Sequence, residues 1–166
     1  MTVLYGPPAE TLELLLDDPD NHEFASARDL LKNLSGEQAA QSVAGLPYTI
    51  AEILAHMNSN LYFNLELIAS SSPETFVNPY ENWPKVNVSD WSELVESFLS
   101  GLDRAKAMAR ESDLNRILFP ATKAEPAWTL GYKLAMSVAK HNAYHFGQIG
   151  LLRRLLGVWL NNSANT

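Results

Sequence analysis

Cysteine is absent from the sequence. Disulfide frameworks, thiolate zinc sites and cysteine nucleophiles are excluded with it. Basic charge is also scarce: 12 Lys and Arg face 19 Asp and Glu, for a formal net charge of -7. Such a chain repels phosphate backbones and anionic lipid heads, and no local basic stripe offsets the excess. Nucleic acid and membrane surfaces are therefore poor partners. No uninterrupted apolar run approaches the roughly 20 residues that span a bilayer. Met1 to Glu10 carries two prolines and no basic residue, unlike a secretory signal, so a cytoplasmic location is the expectation. What remains is an ordinary globular composition, 46% apolar and 19% charged over 166 residues. That is the length of one domain and enough for a core without disulfides.

Helical periodicity dominates the chain, and no strand pattern competes with it. A leucine-rich segment from about Pro8 to Leu16 ends in the breaker cluster Asp17-Asp18-Pro19-Asp20-Asn21. Ala27, Leu30, Leu31 and Leu34 have i, i+3, i+4, i+7 spacing. Ser35 with Gln38, and Thr49 with Glu52, have the form of capping boxes. The second box opens a long helix to about Ala69, with Ile50, Leu54, Met57, Leu61, Leu65 and Ile68 as its apolar stripe. Residues 70–88 are irregular and hold three prolines, which suits either a cover over a site or an ordered connection anchored by aromatics. A third long helix, capped by Ser89 or Asp90, buries Trp91, Leu94, Val95, Phe98, Leu102, Ala105 and Met108. The last starts at Thr129 and ends at Gly157, with Arg153 and Arg154 in a final turn whose dipole favours cations. The tail from Asn161 to Thr166 is expected to fray.

That last helix has a seam of Leu134, Val138, His141, His145, Gln148, Leu152 and Leu155, in alternating steps of four and three. Three consecutive seam positions are polar. Burying them without partners costs a few kcal/mol, which a bound metal ion would offset. His141 and His145 are displaced by about 6 Å along a helix and about 40° around it, so their rings can converge on one ion. His56, which shares a helix face with Ile53, Asn60 and Phe63, can complete the set. Three neutral imidazoles leave positions open and suit Zn²⁺, Ni²⁺, Fe²⁺ or Mn²⁺. Asn142 stands where the zinc-protease motif has glutamate, so the built-in general base of H-E-x-x-H is missing. Asn60, Gln148 and Glu52 are candidate outer contacts, and Glu52 has a sufficient role in its capping box. His22, in an acidic turn without the glycine and spacing of a calcium loop, reads as solvated. The four tryptophans read as packing anchors, with Trp83 the one best placed to line a pocket.

The string Ile50-Ala51-Glu52-Ile53-Leu54-Ala55-His56-Met57 and the run from Ala139 to Gly157, with its H-x-x-x-H-x-G-Q-I pattern, resemble the DinB/YfiT-like superfamily of metalloenzymes. The resemblance spans roughly residues 8–160. It implies a single all-α domain, a four-helix bundle with up-down-down-up connection and short additional helices. It also implies a divalent metal, often nickel or zinc, held by the residues matching His56, His141 and His145. Many relatives are homodimers, and some are transferases or isomerases that use a low-molecular-weight thiol. In such enzymes the metal lowers the thiol pKa and presents a thiolate to an electrophile. Two functions stay open: a metal-dependent thiol transferase or small-molecule hydrolase, and a non-catalytic metal-binding or interaction bundle.

Overall fold

A computed structural model describes residues 2–20 and 24–159 of the chain. The readings made of His22 and of the tail 161–166 lie outside the described residues.

Local sequence sets where the helices begin. Helix α1 (Ala9–Leu16) follows Pro8. Helix α2 (Ala27–Leu31) is capped by the Ser26 hydroxyl, which accepts from the Asp29 amide. The short α3 (Gly36–Ala39) and the long α4 (Ile50–Ala69) both start on complete capping boxes, Ser35/Gln38 and Thr49/Glu52. In each box the two side chains satisfy two of the orphan amides of a first turn. A 3₁₀ turn (Val88–Asp90) leads into α5 (Trp91–Glu111). The last helix is continuous in three parts: α6 (Leu130–Leu134), a π-helical turn (Ala135–Ala139) and α7 (Lys140–Leu155). Gly157 follows it at φ 70°, the left-handed cap expected there.

Named contacts fix the helix directions. Glu13 of α1 and Asp17 just past its end pair with Arg110 and Lys106 of α5, so those two helices run antiparallel. Asn58 of α4 bonds Ser97 of α5, and Leu61 packs against Gly101, so these two run parallel. Asn60 bonds Ser137 while His56 bonds His141, so α4 and the last helix run antiparallel. Leu12, Leu16, Leu54, Leu61, Leu65, Phe98, Leu102 and Leu134 form the core between these helices.

Two sequence expectations need correction. The chain is mostly helical but also contains a small sheet, in the order β1–β3–β2. Strand β1 (Val3–Leu4) lies parallel to β3 (Ala127–Thr129), and β2 (Ile117–Phe119) lies antiparallel to β3 with a register shift. Strands of two or three residues are too short to show alternation, and the parallel pair joins segments far apart in sequence. The close approach of Gly6 to Gly131 helps dock β1: a Cβ on Gly6 would lie 2.2 Å from the Gly131 carbonyl carbon. The second correction concerns the seam of the last helix. Across the π turn the buried positions include Leu134, Val138, Asn142, His145, Ile149 and Leu152, whereas Leu155 is 56% exposed. After the five-residue turn, Asn142 and Ile149 take the core positions read for His141 and Gln148, which move to the edge, while His145 and Leu152 stay buried.

Candidate metal centre

Helix α4 supplies His56 and α7 supplies His141 and His145. His56 and His145 are 8% and 6% exposed, and His141 is half-buried at the rim. One ring nitrogen from each lies within 4.8 Å of the other two. The Nε2 atoms of His56 and His141 are 3.0 Å apart. The ring centroids are separated by 4.9 Å for His56 with either partner and by 4.5 Å for His141 with His145. Nitrogens about 2.0–2.1 Å from a common zinc ion would stand roughly 3–3.5 Å apart, so the His56–His141 pair already has that spacing and the widest pair would close by at most about 1.5 Å. The three expected residues are thus brought together, and no carboxylate hydrogen-bonds to their rings among the described residues.

The outer nitrogen of each ring has a partner. His56 Nδ1 donates to the Asn82 carbonyl at 2.6 Å, and His145 Nδ1 donates to Gln148 Oε1 at 2.6 Å. With the Nδ1 proton so held, Nε2 of each ring is the atom that turns inward. With the His56 lone pair as acceptor, His141 Nε2–H donates to it, and His141 Nδ1 accepts from Asn60 Nδ2 at 3.1 Å. Asn60 Nδ2 also donates to the Ser137 carbonyl at 2.8 Å, inside the π turn. Asn64 in turn donates to Asn60 Oδ1 and to the Asn60 carbonyl, at 3.1 and 2.7 Å. Burial, with His145 and His56 beside it, pushes the His141 pKa down to about 4. Burial likewise lowers that of His145, against the Gln148 bond. Both are neutral at pH 7, the form a metal ligand needs.

The irregular stretch between α4 and α5 covers this cluster. Beyond the carbonyl of Asn82, the Trp83 indole stacks on His56 with ring centroids 4.0 Å apart and 8° between planes. Tyr48 stacks on the other face of Trp83 at 3.9 Å. Tyr80 donates to Glu66 of α4 and so ties down the same stretch. Tyr144 sets its ring against the edge of His145 at 5.0 Å and is 66% exposed. The expectations for Asn60, Gln148 and Trp83 fit this geometry, and Glu52 serves its capping box. Tyr48 and the backbone of Asn82 were not singled out in the sequence; no spacing rule links either to His56.

Antiparallel helices closing on three imidazoles define a class: a mostly helical protein whose buried histidine cluster could hold a metal ion. Within it, the family model for mycothiol-S-transferase matches residues 16–157. The chain belongs to that family, a branch of the DinB/YfiT-like superfamily. No curated protein and no solved structure matches it.

Proposed function

We propose that this protein is a divalent-metal-dependent thiol transferase, with His56, His141 and His145 as the metal ligands and a low-molecular-weight thiol of the mycothiol class as co-substrate. The observation that carries the reading is the orientation of the rings: His56 and His145 turn inward lone pairs held by outer hydrogen bonds. All-imidazole donors suit zinc or nickel, with iron and manganese next. When bound, the ion would acidify a thiol and present its sulfur to an electrophile, with the proton leaving to solvent. For His141 to offer Nε2, its proton moves to Nδ1, and the Asn60 amide turns its Oδ1 to that proton, giving up its bond to the Ser137 carbonyl. Trp83 shields the cluster from water on one side, and Tyr144 stands at its exposed rim.

The helix directions support an up-down-down-up four-helix bundle in one domain, made by α1, α4, α5 and the last helix. A homodimer would cover the exposed Tyr144, Leu151 and Leu155 along α7. Thiol chemistry of this kind belongs in a reducing, cytoplasmic setting.

Among the described residues no carboxylate bonds the rings, which favours a second reading, a metal that only pins α4 to α7. Substituting His145→Ala separates the two. A transferase loses thiol transfer to a model electrophile while keeping most of its melting temperature. A structural pin predicts a large drop in melting temperature.

A further inference from the structure

A second cleft, sharing no residue with the histidine cluster, lies where the β2–β3 turn meets α6 and the 3₁₀ turn Pro73–Thr75. Its volume is about 410 Å³, within the range of small-ligand sites. Phe119, Pro126 and Trp128 form its apolar walls, and Lys133, Glu74 and Glu125 contribute charge. Lys133 lies eight residues before His141, about 12 Å along the helix.

Lys133 is the unusual member. Its side chain is half-buried and has no carboxylate within 4.0 Å among the described residues. Its Nζ stands 6.0 Å from the Phe63 ring centroid and 5.9 Å from those of Phe119 and Trp128. These distances are at the outer limit at which ring faces stabilise a cation. Burial depresses its pKa, the mark of an ammonium short of compensation. Glu74 and Glu125 are exposed and lie at the rim. The lining thus offers a partly desolvated cation, an apolar wall and acidic groups outside it. A plain anion would meet the two glutamates, and a plain cation would meet Lys133.

We propose that this cleft binds a small zwitterion with an apolar body, its carboxylate on Lys133, its apolar part on Trp128 and Phe119, and its ammonium toward Glu74 and Glu125. The chemistry is that of an apolar amino acid.

Calorimetric titration of the full-length chain with L-phenylalanine, 3-phenylpropionate and 2-phenylethylamine tests this. L-Phenylalanine is expected to bind saturably, and each singly charged analogue about tenfold or more weakly, since a charge-assisted bond is lost. Lys133→Met is expected to weaken L-phenylalanine by a similar factor. Should that variant fail to fold, Glu74→Gln with Glu125→Gln alters only the rim, and is expected to abolish the preference for L-phenylalanine over 3-phenylpropionate. Overturning results are the absence of saturable binding, the amine binding as tightly as L-phenylalanine, unchanged binding in a folded Lys133→Met, or a preference retained in the rim variant.

Discussion

Asn60 holds two groups with one amide nitrogen, the Ser137 carbonyl in the π turn and Nδ1 of His141. It therefore fixes where His141 stands, while the tautomer it supports here, with the proton on Nε2, is the one a bound metal would displace. Replacing it with a residue of similar size and no polar atoms, Asn60→Leu, leaves the carbonyl unpaired and the ring unsupported. Zinc affinity, measured by chelator competition, should fall about 10–100-fold, as for other outer contacts of metal-binding histidines. An unchanged affinity would remove Asn60 from the site. Asn60 was legible in the sequence because it lies one turn beyond His56. Its hold on the π turn was not, since that depends on a second helix 77 residues away.

At the scale of elements, the segment between α4 and α5 is fastened to the site by the Asn82 carbonyl, the Trp83 ring and the Tyr80 hydroxyl. Metal entering beside His56 should alter Trp83 emission, giving a saturable fluorescence change in the wild type that is absent from Trp83→Phe. The same change in both would mean that the indole does not report the site. Tyr80 adds a pH dependence. The Glu66 hydrogen bond, with burial behind it, raises its pKa from 10.0 to about 12. The folded state then keeps a proton that the unfolded chain loses, so stability falls as pH rises from 10 to about 12. Tyr80→Phe should be less stable than wild type below pH 10, with the difference shrinking across that window in denaturant titrations. A difference that stayed constant would contradict the assignment. Sequence reading found the helix starts because capping boxes are local, four-residue events. It missed the sheet because the strands are minimal, and it misphased α7 because a π turn leaves no periodic mark.

Across the whole molecule, Arg153 is the buried brace. It is 1% exposed, and its guanidinium donates to the carbonyls of Asp29, Leu30 and Lys32 at the end of α2 and to Val158 beyond α7. In the sequence it looked like a cation suited to the helix dipole; its burial depends on α2 lying across it. Arg153→Met should destabilise the protein by roughly 3 kcal/mol or more, because several buried carbonyls lose their donors. Arg153→Lys should restore little of that, lacking the planar fork. Thermal unfolding of the two variants checks this, and a loss within about 0.5 kcal/mol, typical of surface changes, would contradict it. His141 and His145 were legible because their four-residue spacing interrupts the apolar face of the last helix, and the fold brings them together with His56. Elemental analysis tests that convergence most directly, on protein purified without an affinity tag or immobilised nickel, beside His56→Ala, His141→Ala and His145→Ala. A three-histidine metal centre predicts about one equivalent of a divalent metal in the wild type and its loss from each variant. No metal in the wild type after reconstitution, or full retention in the variants, would contradict it.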